Sequence, residues 1–251
     1  MILTIDIGNT SVNFGIFEKR ELILRYSLPS SERTTAKKCW TKTQSFITPE
    51  MKIDGAICCS VVPVRTEMIE SFVDKFLKVP FKKLKKGDDL GIINKYSIPE
   101  QVGWDRLINA LAVKEFYTLP AIIADLGTAV TIDVVNAEYE YLGGIIAPGL
   151  GISVEALHKK TSLLPRVELV IPPEILGKDT VSSMQSGLTY GFALMIKGLV
   201  DGLKEELNLN DATVIATGGY TRILEPLLDD FADVIDDNLT LKGLNLAYEL
   251  I

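Results

Sequence analysis

The sequence predicts an α/β protein made of two similar lobes, each about half of the 251 residues. The main observation is an internal repeat, in which an apolar run, an aspartate, an apolar residue, a glycine and a hydroxyl residue occur at positions 6–10 and again at 125–128. Repetition at this scale is typical of a duplicated structural unit. Alternating and helical apolar spacings follow both copies, which indicates strands and helices in each lobe. We therefore expect lobes at residues 1–118 and 119–251.

The composition fits a globular protein and excludes several partners. An apolar fraction of 47% is enough for a large core. The formal charge of −7 gives no general basic field, so we expect no nucleic acid and no membrane partner. No basic leader precedes the first apolar run, and no apolar stretch is long enough to cross a bilayer. The odd set Cys39, Cys58 and Cys59 is expected to be reduced and buried in a cytoplasmic protein.

The first lobe is predicted to begin with an antiparallel meander, because residues 2–27 alternate apolar and polar positions. A helical pattern covers residues 39–46, and a buried strand over 53–63 stops at a proline. Residues 66–77 have the apolar spacing of an amphipathic helix. Four lysines at residues 82–86 are followed by Asp88 and Asp89, which neutralise much of their field, so this run is expected to form a solvated loop.

A second helix of this lobe is predicted to begin near Asp105, with Leu107 and Leu111 on its apolar face. One interpretation of Asp105 is a carboxylate that the helix dipole stabilises in the first turn. The other is an acceptor for a hydroxyl proton, with Arg106 offering forked donors to a carboxylate or phosphate. Phosphoryl transfer through a loose transition state requires mainly a positioned acceptor, so an ionised, weakly basic Asp105 is compatible with it.

The second lobe repeats the strand and turn, and further elements follow in order. They are a hairpin partner over 139–146, a helix over 152–160, a long helix after Thr180, a strand over 212–217 and a closing helix over 244–250. Gly187 and Gly191 leave the long helix thin on one side, so another helix of the same chain or of a second subunit can approach closely. Asp179 or Thr180 is interpreted as its cap.

Glycines in this lobe have two interpretations. Those between positions 143 and 151 either shape tight turns or provide a ligand floor free of side chains. Thr217-Gly218-Gly219 is either a strand-to-helix turn or a floor under a nucleoside with a helix N-terminus near phosphate. The sequence leaves both pairs of alternatives open.

The two Asp-x-Gly turns also have a purely structural interpretation that requires no ligand, since Gly8-Asn9 is an ordinary hairpin turn pair. The functional interpretation is that glycine lets backbone N–H groups approach an anion, hydroxyls donate hydrogen bonds, and the carboxylate holds a hydrated magnesium ion. The same chemistry occurs twice in the chain. Two such turns facing each other would clamp a nucleotide.

Six motifs together resemble type III pantothenate kinases, in order and spacing, over nearly the whole chain. They are Asp6-x-Gly8-Asn9-Thr10, Gly103-x-Asp105-Arg106, Asp125-x-Gly127-Thr128-Ala129, Gly143-Gly144-x-Ile146-x-Pro148-Gly149, Gly177-Lys178-x-Thr180 and Thr217-Gly218-Gly219. No single motif is decisive, but their ordered set is highly specific.

The resemblance implies two ribonuclease H-like lobes of the sugar kinase, Hsp70 and actin (ASKHA) type, and a homodimer. It implies transfer of the γ-phosphoryl group of ATP to the primary hydroxyl of pantothenate. The product would be 4′-phosphopantothenate, in the first step of coenzyme A synthesis. Mg²⁺ and a monovalent cation, K⁺ or NH₄⁺, are the implied cofactors.

The resemblance also implies roles for individual residues. Asp105 would be the proton acceptor, Asp125 the ligand of the monovalent cation, Thr128 a second phosphate contact and Asp6 the residue at magnesium. The ATP phosphates would lie against Asp6, Ile7, Gly8, Asn9, Thr10, Ser11, Val12 and Asn13. Pantothenate would contact Tyr96, Gly103, Trp104, Asp105, Arg106 and Thr180, with Thr180 supplied across the dimer.

Trp104 departs from the family pattern, which commonly has a small residue such as alanine before the acceptor aspartate. An indole at this position must either pack beneath the helix or intrude on the substrate pocket. Two alternatives follow from this departure. One is a regulatory protein on the same scaffold, similar to a transcription accessory factor, and the other is a kinase of another small hydroxylated molecule.

Overall fold

Residues 1–30, 35–48 and 51–251 are described by the structure, which is a computed structural model. Its strands are β1 (Ile2–Ile7), β2 (Ser11–Glu18), β3 (Glu21–Pro29), β4 (Gly55–Ser60), β5 (Phe81–Lys83), β6 (Ile93–Asn94), β7 (Ala121–Leu126), β8 (Ala129–Val135), β9 (Glu140–Pro148), β10 (Thr213–Thr217) and β11 (Val234–Ile235). Its α-helices are α1 (Ala36–Thr43), α2 (Pro63–Phe72), α3 (Trp104–Phe116), α4 (Leu150–Lys160), α5 (Thr180–Glu206), α6 (Thr221–Leu228) and α7 (Leu239–Leu250).

Two compact units divide the chain, one formed by residues 1–115 with 239–251 and the other by residues 116–238. The sequence placed the division between residues 118 and 119 and assigned the last helix to the second lobe. In the structure α7 packs against β1, β2 and β4 of the first unit. It does so because the apolar side chains of α7, among them Leu244 and Leu246, belong to a core cluster of that unit.

The first unit contains a sheet in the order β3-β2-β1-β4-β5. Strands β1, β2 and β3 form the predicted antiparallel meander, and β4 and β5 run parallel to β1. Strand β5 contains Lys82 and Lys83, so the expected loop over residues 82–86 is present only from residue 84 onward. This strand is a three-residue edge strand, and lysines on a short edge strand discourage pairing with other chains.

Side chains on opposite faces of this sheet build two core clusters. Leu3, Ile5 and Ile7 point to one face, where they pack with residues of α1 and α2. Ile57 and Cys59 point to the other face, where α3 and α7 cover them. Alternation along β1 and β4 therefore makes the sheet a central layer with helices on both sides.

Close contact between α3 and α7 depends on a glycine. A Cβ atom at Gly243 would overlap the backbone carbonyl of Ile108 in α3. With hydrogen in place of a side chain, the two helices pack directly, and Asn109 accepts a hydrogen bond from Thr240 Oγ1 at 2.8 Å. The position of α3 on the first unit is thereby fixed, and with it the position of Asp105.

The second unit repeats the same topology. Its five strands lie in the order β9-β8-β7-β10-β11, with β7, β8 and β9 antiparallel and with β10 and β11 parallel to β7. Helices α4, α5 and α6 cover its core cluster. The repeat seen in sequence is therefore a repeat of fold, in which β1 corresponds to β7 and Asp6 to Asp125.

Two further features match the sequence predictions, namely the buried cysteines and the cap of α5. Cys39, Cys58 and Cys59 are buried free thiols, and burial raises the pKa of Cys39 and of Cys58 to about 12. Asp179 caps α5 through a reciprocal pair of hydrogen bonds with Ser182. No helix in the described ranges is both long and apolar enough to cross a membrane.

Candidate active site

Asp6 lies at the carboxyl end of β1, where its two cross-strand neighbours both contact its carboxylate. Asn13 on β2 donates a hydrogen bond from Nδ2 to Oδ2 at 3.0 Å. Cys59 on β4 places Sγ 3.5 Å from Oδ1. Burial raises the pKa of Asp6, the Asn13 hydrogen bond lowers it, and the charge of Asp105 raises it. The two carboxylates therefore interact within the first unit.

The turn after Asp6 is a tight hairpin whose tip reaches solvent. Gly8 N donates to the carbonyl of Ser11 at 2.9 Å and closes the turn, while Asn9 and Thr10 are exposed. Ser11 begins β2. This geometry is compatible with both interpretations made from sequence, because a hairpin turn and a phosphate-binding turn are closed in the same way.

Arg65, which the sequence analysis did not identify, binds this turn on its carbonyl side. Its Nη1 donates to the carbonyls of Gly8 at 2.9 Å and Asn9 at 3.2 Å, and its Nη2 donates to the carbonyl of Ser30. Arg65 lies in the first turn of α2, immediately after β4, and β4 is the parallel neighbour of β1. The signal available in sequence was only an arginine two residues after Pro63, the first residue of α2.

Asp105 lies in the first turn of α3, as predicted, and its carboxylate folds back toward the loop before the helix. Oδ1 accepts a hydrogen bond from Arg106 N at 3.0 Å. A Cβ atom at Gly103 would overlap this same oxygen, so glycine is needed for the carboxylate to adopt this position. The Arg106 side chain is 6% exposed. The motif Gly103-x-Asp105-Arg106 therefore fixes one carboxylate at a helix N-terminus.

Trp104 packs with the core cluster of the first unit that contains Ile57, Cys59 and Ile108. Its side chain is partly buried, so part of the indole remains accessible. The sequence left two arrangements open for the indole, and the structure shows that its buried part packs beneath the helix. This part of the ring contacts the protein core.

In the second unit, the turn after β7 is closed by Gly127 N donating to the carbonyl of Ala129 at 3.1 Å. Thr128 lies at its tip and is partly buried. Two glycines make this arrangement possible. A Cβ at Gly149 would overlap the Thr128 carbonyl, and one at Gly218, whose φ is +101°, would lie 2.5 Å from Asp125 Oδ1. Gly218 therefore lies against Asp125 and Gly149 against Thr128, an arrangement that both interpretations of these glycines allow.

Tyr96 and Thr180 lie on other segments of their units, after β6 and at the start of α5. Tyr96 follows β6 in a loop, where its backbone N donates to Asn94 Oδ1 at 3.0 Å. Thr180 begins α5 and lines an open groove of about 690 Å³ together with Gly177, Lys178 and Gly187. Neither Asp125 nor Thr128 lines this groove.

Carboxylates near the first turn suit a cation held jointly with phosphates. Within the described ranges, no group of three or more histidine, cysteine, aspartate or glutamate side chains is arranged to hold a metal ion. Mg²⁺ in phosphoryl-transfer sites is usually bound by one or two carboxylates, by phosphate oxygens and by water. The Asp6 carboxylate fits such a site.

The duplicated strand order, with an Asp-x-Gly turn after the first strand of each unit, defines a protein of the ASKHA fold. Solved structures of this type resemble the chain. A Campylobacter jejuni protein assigned to the Baf family of transcriptional activators has a TM-score of 0.61 at 18% identity, covering 98% of this chain and 97% of its own. Component A of Acidaminococcus fermentans (R)-2-hydroxyglutaryl-CoA dehydratase has a TM-score of 0.58 at 12% identity, covering 98% and 95%.

The sequence relationship is more specific. Residues 2–202 match the type III pantothenate kinase family. The type III pantothenate kinase of Thermobifida fusca is 39% identical over 259 residues, covering 99% of both chains. This chain belongs to the type III pantothenate kinase family. The resemblance stated from the motifs, the ASKHA fold and the assignment as a phosphotransferase are therefore confirmed.

Proposed function

We propose that the protein transfers the γ-phosphoryl group of ATP to the primary hydroxyl of pantothenate, yielding 4′-phosphopantothenate. Family membership supports the donor and the acceptor. The structural observation that carries the assignment of roles is the placement of two carboxylates in the first unit. Asp6 lies near the end of β1 and Asp105 in the first turn of α3. Cys59, whose Sγ contacts the Asp6 carboxylate, belongs to the core cluster on which Trp104, the neighbour of Asp105, packs. The charge of Asp105 raises the pKa of Asp6.

In this proposal the segment Asp6–Asn13 binds the ATP phosphates and Thr128 makes a second phosphate contact. Mg²⁺ is held by Asp6 together with phosphate oxygens. Backbone N–H groups at a glycine turn and a carboxylate-bound metal are common partners of transferring phosphates. Mg²⁺, when bound, supplies positive charge that neutralises the charge developing on the phosphate oxygens.

Asp105 accepts the proton of the pantothenate hydroxyl as the oxygen attacks phosphorus. The O–H bond breaks, the new O–P bond forms, and ADP leaves. In this scheme the acceptor is oriented by Tyr96, Gly103, Trp104, Arg106 and Thr180. Arg106 provides a charge that suits the pantothenate carboxylate. Asp125, beside Gly127 and Gly218, is proposed as the ligand of K⁺ or NH₄⁺.

The homodimer belongs to the same proposal. On α5, a Cβ at Gly187, Gly191, Gly198 or Gly202 would meet no atom within 4 Å, and Leu194 is 62% exposed. A long helix with small residues and an exposed leucine is suited to pairing with a second copy. We propose that Thr180 reaches the acceptor site of the partner subunit, and that the dimer acts in the cytoplasm, where ATP is available.

The central experiment measures 4′-phosphopantothenate formed by purified protein from ATP, Mg²⁺ and pantothenate, in potassium and in sodium. We expect potassium-dependent product. Asp105→Asn is expected to lower kcat about 10²–10⁴-fold, because the proton acceptor is lost. ATP binding should be retained, since the amide is nearly isosteric. Product formation at the wild-type rate by Asp105→Asn would show that Asp105 is only a helix-capping residue.

Subunit complementation tests the placement of Thr180. Asp105→Asn and Thr180→Val are each prepared alone, mixed, and allowed to exchange subunits. A mixed dimer contains one site with both native residues only if Thr180 acts across the interface. Half of the dimers in an equimolar mixture are mixed and each has one intact site, so recovery toward about a quarter of the wild-type activity is expected. Activity no higher than the average of the two separate variants would place Thr180 in its own subunit's site or outside the site.

A further inference from the structure

We infer that Arg65 is a positioning residue for phosphate binding. It holds the turn after Asp6 so that the backbone N–H groups of the turn are directed toward the anion. The inference rests on the proposed role of Asp6–Asn13. It starts from three hydrogen bonds. Arg65 donates to the carbonyls of Gly8 and Asn9 from one guanidinium nitrogen and to the carbonyl of Ser30 from the other.

Ser30 completes the set of contacts. Its backbone N donates to the carbonyl of Thr10 at 2.7 Å, and its Oγ donates to the carbonyl of Gly8 at 3.0 Å. Three successive carbonyls, of Gly8, Asn9 and Thr10, are thus engaged by Arg65 and Ser30. Because Arg65 also binds the Ser30 carbonyl, the guanidinium fixes both the turn and the residue that supports it.

Peptide geometry converts this arrangement into a direction for the donors. In a trans peptide the carbonyl and the next N–H point in opposite directions. When the three carbonyls face Arg65 and Ser30, the N–H groups of Asn9, Thr10 and Ser11 face away from them. Successive N–H groups on one side of a turn form a concavity suited to anions. Arg65 thereby acts on phosphate through the backbone without touching it.

The guanidinium is the appropriate group for this task. It is planar, permanently charged and able to donate in a fork, so one side chain can satisfy several carbonyls at fixed angles. A lysine at the same position could donate to one or two of these carbonyls, but it would not fix their relative orientation. Position 65 is therefore expected to distinguish arginine from lysine.

Titration calorimetry of Arg65→Ala, Arg65→Lys and wild type with MgATP and with adenosine tests the inference. We expect Arg65→Ala to bind MgATP about tenfold more weakly, because the charge-assisted hydrogen bonds that orient the turn are lost. Arg65→Lys should show an intermediate loss. Adenosine, which has no phosphate, should bind all three proteins equally. In steady-state assays the KM for ATP should rise while the KM for pantothenate stays constant.

Arg20→Ala is the matched control. Arg20 lies in the first unit between β2 and β3, at the opposite end of β2 from the turn, and forms an ion pair with Glu115. This variant also removes one arginine and one interaction, but MgATP affinity should remain that of the wild type. If Arg65→Ala fails to fold, Arg65→Lys and Ser30→Ala, which removes only the Oγ donor to Gly8, are used for the same comparison.

Unchanged MgATP affinity in folded Arg65 variants would overturn the inference. Equal weakening of adenosine and MgATP would overturn it too, since that result indicates a general structural role. Asp6→Asn separates this failure from failure of the proposed phosphate site. If Asp6→Asn loses MgATP affinity and Arg65→Ala does not, only the role of Arg65 is wrong. If Asp6→Asn binds MgATP normally, the phosphate site itself is wrong.

Discussion

Asn13 donates a hydrogen bond from Nδ2 to Oδ2 of Asp6 at 3.0 Å, across directly paired positions of β1 and β2. This bond lowers the pKa of a carboxyl group that burial and the charge of Asp105 raise. The pairing follows from the hairpin register, because the turn from Gly8 to Thr10 places the two residues opposite each other. The Asn13 hydrogen bond therefore favours the ionised form of Asp6.

The first prediction concerns Asn13→Ala and the pH dependence of ATP use. Without the hydrogen bond the pKa of Asp6 moves further up, so a larger fraction of Asp6 is protonated at a given pH. We expect the acidic limb of the kcat/KM profile for ATP to shift to higher pH. Ser27→Ala is the control, since it removes the donor to Asn13 Oδ1 and leaves the Asn13 bond to Asp6 in place. Coincident acidic limbs for wild type and Asn13→Ala would contradict this account.

Asp6→Asn should stabilise the protein without ligand while impairing catalysis. The folded-state pKa of Asp6 is raised above its ordinary value. The folded state therefore binds this proton more tightly than the unfolded state, and the free energy of unfolding decreases as pH rises through the window between the two values. An asparagine removes the buried charge. We expect an increase in apparent Tm of about 2–4 °C near neutral pH.

The pH dependence of this increase in Tm tests whether the buried charge of Asp6 causes it. The advantage of Asp6→Asn over wild type should shrink as pH is lowered toward the ordinary pKa of an aspartate, because wild-type Asp6 becomes protonated. Asp54→Asn should behave oppositely. Asp54 is exposed, and its hydrogen bond with the amino group of Met1 lowers its pKa, so its removal reduces stability at neutral pH. A Tm for Asp6→Asn at or below wild type near pH 8 would show that burial imposes no cost.

Much of the fold was predictable because local patterns determined it. The alternation over residues 2–27, the helical spacing over 66–77 and the Asp179 cap all depend on neighbours in sequence. The repeat from Asp6 to Asp125 then predicted that the second sheet would follow the first. Asp105 was placed correctly in the first turn of α3, because a glycine followed by apolar residues at helical spacing indicates a helix start.

Other features depend on contacts between distant residues. The apolar spacing of α7 predicts a helix but does not say which sheet it covers, and Gly243 at Ile108 of α3 decides that. Arg65 reaches Gly8 across 57 positions, so no local pattern marks it. The Trp104 indole is partly buried because Ile57 of β4 and Leu244 of α7 lie in the same cluster. Each of these contacts requires the assembled sheet.

Trp104→Ala is predicted to reduce stability and to change the KM for pantothenate. Loss of a partly buried indole should lower the free energy of unfolding by about 2–3 kcal/mol. Trp40→Ala provides the matched control, because Trp40 is also partly buried in the first unit, stacked on Phe76 at 5.5 Å. Both variants should lose stability in urea unfolding. Only Trp104→Ala should change the KM for pantothenate, and equal KM values in the two variants would remove Trp104 from the acceptor site.

Gly218→Ala and Gly219→Ala are predicted to differ although the residues are adjacent. Gly218 has a φ of +101°, where an L side chain is strained, and its Cβ would lie 2.5 Å from Asp125 Oδ1 and 2.6 Å from the backbone carbon of Leu126. We expect a destabilisation of about 1–3 kcal/mol. A Cβ at Gly219 meets no atom within 4 Å. That variant should unfold within about 0.5 kcal/mol of wild type.

The same pair tests the proposed cation site. Because the alanine at position 218 displaces the Asp125 carboxylate, Gly218→Ala should need more potassium for half-maximal activity, whereas Gly219→Ala should retain the wild-type requirement. Urea unfolding and potassium titration of the kinase assay measure the two effects separately. A destabilised Gly218→Ala with an unchanged potassium requirement would leave the strain argument intact and exclude Asp125 as the cation ligand. The carboxylate cannot move by more than a few tenths of an ångström without altering the coordination of a bound ion.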